Sequence, residues 1–290
     1  MQNLLEENVK AIVQDRYAKI ATNDQPISCC GTSKTVPQNK IYNIMMDDYT
    51  GTDGYLAEAD LGLGCGLPTQ FAQINPGNTV IDLGSGAGND CFVARHEVGP
   101  TGKVIGVDFT PAMIQKARAN AEKLGFNNVE FREGDIDNLP ISSNLADVVV
   151  SNCVLNLVPN KPKVMGEMFR VLKPGGHFSV SDIVLVGKLP AALQQDAEMY
   201  AGCVAGASQK EDYLNTIEGA GFTDVVIQKT KPISLPTDLL QKYLSEDEIA
   251  AFTTGSTGIF SITVFGKKPA DRMSPAQPVL TPISQNSCCS

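Results

Sequence analysis

Two sets of residues in this chain could do chemistry. The first is the run TVIDLGSGAGN (79–89), in which Asp82 precedes three glycines spaced two apart, Gly84, Gly86 and Gly88. A glycine-rich turn after a strand brings backbone N–H groups and a helix N-terminus close to a ligand. The nicotinamide fingerprint G-x-G-x-x-G needs its third glycine at position 89, which is Asn89. The second set is eight cysteines, which as thiolates exchange with other thiols and bind soft ions. Cys91 lies in a helical stretch beside Phe92 and Val93 and reads as core. Cys65 sits in the irregular run LGLGCGLP, Cys153 near a strand end, Cys203 in YAGCVAGAS and Cys29-Cys30 in a polar loop. Taken singly, each could be an ordinary buried thiol. There is no C-x-x-C pair, and His96 and His177 are the chain's two histidines, so the spacing gives no zinc pattern. His96 is expected at the surface of its helix and His177 within the fold.

The elements that must position these residues are legible as periodicity. Residues 4–21 predict an amphipathic helix, with Leu4, Leu5, Val9, Ile12, Val13 and Tyr17 near helical spacing. An irregular Pro/Gly/Ser segment follows, then a short helix over 40–50 and a glycine-rich ordered loop over 51–68 with a helical turn. From residue 79 the rhythm is regular. Strands are predicted at 79–84, 103–108, 129–135, within 145–157 and at 177–185. Helices are predicted at 89–98, 111–125 with Pro111 in its first turn, and 161–173, the last ended by Pro174-Gly175-Gly176. This alternation implies a mostly parallel sheet covered on both faces. Farther on, helices are expected at 190–204 and 209–220, strands at 224–230 and 258–268, and a helical, loop-rich insertion at 234–256. The tail from Pro269 has no periodicity and is expected to be disordered, yet it ends in Cys288-Cys289-Ser290.

The spacing after Asp82 resembles the cofactor loop of class I S-adenosylmethionine (SAM) methyltransferases. That resemblance implies an α/β, Rossmann-like sheet with a smaller C-terminal α+β elaboration. It puts Asp82 near the methionine end of SAM and Asp108 at the ribose hydroxyls. In GDIDNLP (134–140), Asp135 would meet the adenine amine and Ile136 the adenine ring. Gly84, Ser85, Gly86, Gly88, Phe109, Met113 and Gly134 join the cofactor set, with Asn152 and Val154 beside the sulfonium and Cys153 between them. The loop alone leaves a dinucleotide enzyme open.

Composition narrows the acceptor. With 23 Lys and Arg against 32 Asp and Glu, the net charge of -9 argues against nucleic acid. The Asn/Asp-Pro-Pro-aromatic motif of amino-methylating DNA enzymes is replaced by Ser151-Asn152-Cys153-Val154. No run approaches the roughly 20 apolar residues of a membrane span. The first 21 residues lack the order of a signal peptide, so a cytoplasmic chain without a disulfide scaffold is expected. With no histidine placed for base catalysis, an acceptor that needs no deprotonation, or a thiolate-bound one, fits better.

Several longer runs carry a more specific resemblance: DDYTGTDGYLAEADLGLGCGLP (47–68), VIDLGSGAGNDCFVAR (80–95), VIGVDFTPAMIQKAR (104–118), SNCVLNLVPNK (151–161) and YAGCVAGA (200–207). Together they resemble the arsenite methyltransferases over nearly everything from residue 40 to 268. That family implies Cys65, Cys153 and Cys203 as ligands of trivalent arsenic, which arrives as a thiol conjugate, for instance with glutathione. Cys153 and Cys203 match the pair needed in every round, and Cys29 or Cys30 matches an N-terminal cysteine that forms a disulfide with Cys65. Thioredoxin or glutathione would restore the thiols, and mono- and dimethylated arsenicals would be the products of this detoxification. The implied layout is 1–70 for N-terminal cysteines, 71–185 for the SAM core, 186–268 for the acceptor side and 269–290 for a tail whose Cys288-Cys289 is accessory. A monomer is expected. Competing readings are a methyltransferase of a small organic acceptor and a non-enzymatic metalloid-binding protein.

Overall fold

β-branched runs bounded by glycine turns, alternating with helices apolar on one side, form one mixed eight-stranded sheet in the computed structural model, which describes residues 2–22, 47–187, 206–235, 237–254 and 258–270. After helix α1 (Gln2–Thr22), a loop and the single turn α2 (Pro68–Phe71) lead to β1 (Thr79–Leu83), α3 (Asn89–Val98), β2 (Lys103–Asp108), α4 (Pro111–Leu124), β3 (Val129–Glu133) and β4 (Ala146–Asn152). A 3-10 turn at Leu155–Leu157 precedes α5 (Lys161–Val171) and β5 (Leu172–Val186). Next come β6 (Ser208–Gln209), α6 (Lys210–Gly219), β7 (Thr223–Ile233), α7 (Thr237–Leu240), α8 (Glu246–Thr254) and β8 (Gly258–Lys267). The order is β3-β2-β1-β4-β5-β8-β7, parallel from β3 to β5 and antiparallel at β8 and β7, with β6 beside β5. The chain reverses direction across the sheet between β1 and β4, and such a switch point opens a crevice at the strands' carboxyl ends.

Strand alternation sorts the core into two layers. Ile81, Leu83, Val149, Phe178 and Val180 face α5 and α6, meeting Met165, Met168 and Ile217. Val80, Val104, Val148 and Val150 face α3 and α4, meeting Phe92, Ile114 and Ala117. The helices begin and end where local chemistry dictates. Pro111 occupies the first turn of α4, Gly125 ends it at φ +66°, and the Asn160 side chain caps α5 by accepting from Lys163 N. No helix of the described residues is long and apolar enough to cross a membrane.

Several boundaries differ from expectation. The helix expected over 161–173 ends at Val171, and Pro174-Gly175-Gly176 lies inside β5 rather than before it. Leu172 is buried and pairs with Ala146, so sheet pairing overrides the helical run, and the Pro-Gly-Gly stretch forms a bulge before His177 pairs with Val148. β3 stops at Glu133, and Gly134 turns away to donate to Asp108 O. Residues 47–49 have no regular structure where the helix over 40–50 was expected, and the rest of that stretch lies outside the described residues. The helix expected at 190–204 and the tail from residue 271 also lie outside them, while α7 and α8 occupy the expected insertion.

Lys268 is a buried cation just past β8. Its ammonium donates to Phe169 O (2.7 Å), Leu172 O (2.6 Å) and Asn144 Oδ1 (2.8 Å), which closes the C-terminal end of α5. Replacing Lys268 with Met keeps the stem and removes the donors. The variant should lose about 2 kcal/mol of stability, the scale of hydrogen bonds made by a charged group. Urea unfolding measures this, and an unchanged midpoint would show that the carbonyls find other partners.

Candidate active site

The carboxyl ends of β1, β2 and β4 open on a cleft of about 1050 Å³, counting the solvent-filled mouth. Of the predicted cofactor residues, Asp82, Gly84, Ser85, Gly86, Asp108, Phe109, Asp135, Ile136, Asn152 and Val154 line it, together with Cys153. The Asp108 carboxylate accepts from Thr110 N (2.8 Å) on one oxygen and Gly86 N (3.0 Å) on the other, so each oxygen keeps a lone pair for a ligand hydroxyl. Gly86 sits at φ +51°, and a side chain there would meet nothing within 4 Å except the space a ligand would take. Ser85 Oγ and Asn89 Oδ1 are buried in the same wall without a partner among the described residues, which marks places for polar ligand atoms. These features fit an adenosyl ligand carrying an amino-acid end.

Gly88, Met113 and Gly134 do not line the cleft. Gly88 presses against Phe92 and Phe131, Met113 is buried on α4, and Gly134 packs on Pro140. All three support the wall from behind.

Helix α1 roofs the cleft through Lys10, Val13 and Tyr17. Lys10 Nζ bridges Asp135 (2.5 Å) and Asp137 (2.8 Å), and Gln14 Nε2 donates to Phe109 O (2.8 Å). Burial alone would lower the Lys10 pKa, but the two carboxylates outweigh it and raise it. Lys10 therefore meets Asp135, the residue expected at the adenine amine. An amphipathic helix gave no sequence signal of that distant partner.

The floor is acidic and buried. Asp82 is buried, and Cys91 Sγ donates to its Oδ2 (3.2 Å). Burial, then Asp90 and Asp108, pushes the Asp82 carboxyl well above its ordinary value. Burial raises Asp90 to about 6, against hydrogen bonds from Tyr49 and Asn152 that favour its ionised form. Carboxylates held in such surroundings favour a cationic ligand, which supplies the missing counter-charge. Cys91 reads as core from sequence and is core, but it also holds Asp82. Tyr49 and Asp90 carried no recognisable motif.

Cys153 follows β4 at φ +61°, a backbone conformation that costs a non-glycine residue about 1–2 kcal/mol. Its N–H donates to Ser181 O (2.7 Å), and Asn156 Nδ2 donates to Ile183 O (2.6 Å), so β5 holds the turn in place. Cys65 is buried outside the cleft wall, in the same apolar cluster as Cys153, Leu157, Ile183 and Ile259. Asn152 Oδ1 accepts from Cys65 N (3.0 Å) and Gly66 N (3.3 Å), while Asn152 Nδ2 donates to Gly66 O, Tyr49 Oη and Asp90 Oδ2. Cys65, Cys91 and Cys153 are all thiols. Cys29, Cys30, Cys203, Cys288 and Cys289 lie outside the described residues. Among the described residues no three His, Cys, Asp or Glu side chains converge as a metal site.

On the opposite face of β5, Asp182 is buried and accepts from Tyr213 Oη (2.9 Å). Burial drives its carboxyl up to about 7, partly offset by Tyr213 and by the charge of Lys161. The Tyr213 hydroxyl is pushed well up by burial and Asp182, and Cys65 and Cys153 lie near enough to add to it. Neither histidine reaches the cleft. His96 is exposed beside Asp53, and His177 bonds Ala72 O (2.6 Å).

Residues 74–221 match the methyltransferase domain family. The chain is 40% identical over 277 residues to an arsenite methyltransferase of Halobacterium salinarum, covering 91% of this chain and 68% of that one. It is 34% identical over 268 residues to an arsenite methyltransferase of Aquipseudomonas alcaligenes, covering 89% and 73%. Among solved structures, an arsenic(III) S-adenosylmethionine methyltransferase from Chlamydomonas reinhardtii superposes with a TM-score of 0.60 at 31% identity, covering 79% of this chain and 74% of that one.

Two outcomes follow from this geometry. Lys10→Ala should weaken binding of an adenosyl ligand about fivefold, the weight of ~1 kcal/mol for a partly buried ion pair. Calorimetric titration with S-adenosylhomocysteine tests it, and unchanged affinity would mean that α1 does not need this tether. Asp182 holds a proton in the folded state that the unfolded chain releases, because its pKa rises from 3.8 to about 7. Its contribution to stability is therefore full below the unfolded value and is lost as pH rises through about 7. Asp182→Asn should gain on the wild type between pH 5 and pH 8 in urea unfolding, and parallel pH profiles would contradict a buried protonated carboxyl.

Proposed function

The chain belongs to the arsenite methyltransferase family, and from that premise we propose how its residues divide the work. It is a SAM-dependent enzyme that methylates arsenic. When bound, SAM supplies an electrophilic methyl group on a positively charged sulfur. Asp82, with Asp90 behind it, meets the ligand's positive end, Asp108 takes the ribose hydroxyls and Ile136 packs against the adenine. Helix α1 closes over the top and excludes water.

The acceptor is thiol-bound arsenite in the first round and methylarsenite in the second, giving mono- and dimethylated products. Cys65, Cys153 and Cys203 exchange onto arsenic, each passing its proton to the departing thiol, so its lone pair stays on the cleft side. The observation that carries this reading is Cys153, on a strained turn at the cleft wall with Cys65 in the same buried cluster. Cys203 is supported by its neighbourhood. Four residues after it, Ala207 packs on that cluster, and Lys161 Nζ holds Gly206 O (2.9 Å). The protein's contribution is approach distance and orientation.

Each methyl transfer leaves arsenic pentavalent, so two electrons must return before the next round. Cys65 with Cys29 or Cys30 supplies them by forming a disulfide, which thioredoxin or glutathione reduces. Such thiol chemistry suits a monomer in the reducing cytoplasm. In this division residues 1–70 bring the N-terminal thiols, 71–185 form the SAM core and 186–268 close the acceptor side. Residues 269–290, with Cys288-Cys289, are accessory to this site.

Incubating reduced protein with SAM, arsenite, glutathione and thioredoxin, then separating arsenic species by chromatography with mass detection, tests the reading. Methylated arsenic should appear with the wild type and vanish in Cys153→Ser for both arsenite and methylarsenite. Cys65→Ser should stop arsenite methylation and largely spare methylarsenite, which has only two thiol positions left. Folded, SAM-binding protein that yields no methylated arsenic would move the acceptor to a small organic molecule.

A further inference from the structure

The loop that carries Cys65 has no regular structure of its own, yet it lies buried against β5 and β8. A sheet face under such a segment is ordinarily apolar. Here it carries a patch of polar side chains, with Ser179 and Ser181 on β5 and Ser261 and Thr263 on β8. They alternate along their strands and so share one face. All four are buried: Ser179 and Ser181 are 0% exposed, Thr263 1% and Ser261 5%.

Each is matched to the loop above. Ser261 Oγ donates to Cys65 O (2.6 Å), and Ser179 Oγ donates to Pro68 O (2.8 Å). Ser181 and Thr263 bond one another (2.8 Å), and Gly66 rests on the pair so closely that a Cβ there would lie 2.5 Å from Ser181 Oγ. Cys65 is therefore gripped at both ends, with its N–H on Asn152 and its C=O on Ser261, side chains from strands on either side of β5. A cysteine sulfur is one rotatable bond from its backbone, so fixing both peptide planes leaves χ1 as the thiol's main freedom.

We propose that Ser261 is a positioning residue that sets the Cys65 thiol against Cys153, and that through this hold it favours arsenite over methylarsenite as acceptor. The inference rests on the role given above to Cys65. Arsenite offers three exchangeable thiol positions, so its productive complex needs Cys65 in place. A methylated arsenical has two and engages Cys153 and Cys203 alone. In each exchange one S–As bond forms as another breaks and the proton moves to the leaving thiol, so no oxidant or reductant is involved. Ser261 does not line the cleft, and its effect on SAM should be indirect and small.

The experiment measures kcat/KM for arsenite and for methylarsenite, and the KM for SAM, in Ser261→Ala, Ser261→Thr, Ser179→Ala and Cys65→Ser. Ser261→Ala should lose about tenfold on arsenite, the effect of one buried hydrogen bond made through a reacting geometry, and change less than about twofold on methylarsenite. Ser261→Thr keeps the hydroxyl and should restore the arsenite rate. Ser179→Ala removes a similar buried bond to Pro68 and should leave the ratio of the two substrates unchanged. Equal losses on both substrates in Ser261→Ala, or a shifted ratio in Ser179→Ala, would reduce Ser261 to a structural role and overturn the proposal. If Ser261→Ala does not fold, the ratio in Ser261→Thr decides: a wild-type ratio supports the hydroxyl's role, and a ratio like that of Cys65→Ser overturns it. A Cys65→Ser enzyme that loses both substrates equally would instead remove the assigned role of Cys65, and the inference with it. A loss confined to arsenite in Cys65→Ser, with equal losses on both substrates in Ser261→Ala, would overturn the inference alone.

Discussion

The structure depends on satisfying the peptide groups of an irregular segment buried against the sheet. For Cys65 to share a cluster with Cys153, residues 64–72 must leave water with no strand ladder and only the single turn α2 to bond their peptide groups internally. Each buried amide or carbonyl left without a partner would cost about 1–3 kcal/mol. The sheet answers with side chains. Asn152 takes two N–H groups, Ser261 and Ser179 take carbonyls, and His177 takes the carbonyl of Ala72. This explains why polar residues stand where a sandwiched sheet would otherwise present Val or Ile.

Asn152 joins that solution to the cofactor side. Its one amide bonds the Cys65 loop, Tyr49 and Asp90, and Asp90 raises the buried charge felt by Asp82. A cation at Asp82 lowers the electrostatic penalty of ionised Asp90, and ionised Asp90 is the better acceptor for Tyr49 and Asn152. Occupancy of the cofactor cleft and order in the thiol loop are thus parts of one network. The thiol of Cys91 extends it to the far side of Asp82, and burial keeps that thiol protonated, so it donates to the carboxylate rather than competing for a thiophilic substrate.

The Rossmann-like half was legible because its signals are local. Strand runs such as VIDL and KVIGVD, the glycine spacing after Asp82 and the proline opening α4 each speak for their own neighbourhood, and the elements fall within a few residues of expectation. The Pro-Gly-Gly stretch reads as a stop in sequence yet lies within β5, because its outcome depends on Ala146 and Lys268, each more than 20 residues away. The cleft residues read from motif position, Asp82, Asp108 and Ile136, reach the wall, whereas Gly88, Met113 and Gly134 turn out to support it. What sequence could not supply was pairing at long range: Lys10 with Asp135, Tyr49 with Asp90, Tyr213 with Asp182, Ser261 with Cys65. A serine or tyrosine in a strand or helix has no periodicity that names its partner.

The position of Cys153 follows from the same economy of partners. A left-handed residue directly after β4 turns the chain out of the sheet in one step, so its side chain faces the cleft rather than continuing the strand's alternation. The strain persists because β5 fixes both ends of the turn, through Cys153 N on Ser181 O and Asn156 Nδ2 on Ile183 O. Ser181 also helps seat Gly66, next to Cys65, by its side chain. One short stretch of β5 therefore holds the backbone of one thiol through a carbonyl and packs its side chain under the glycine beside the other. Two cysteines 88 positions apart in sequence are thereby referred to a single rigid strand, which is the requirement for holding one atom between them.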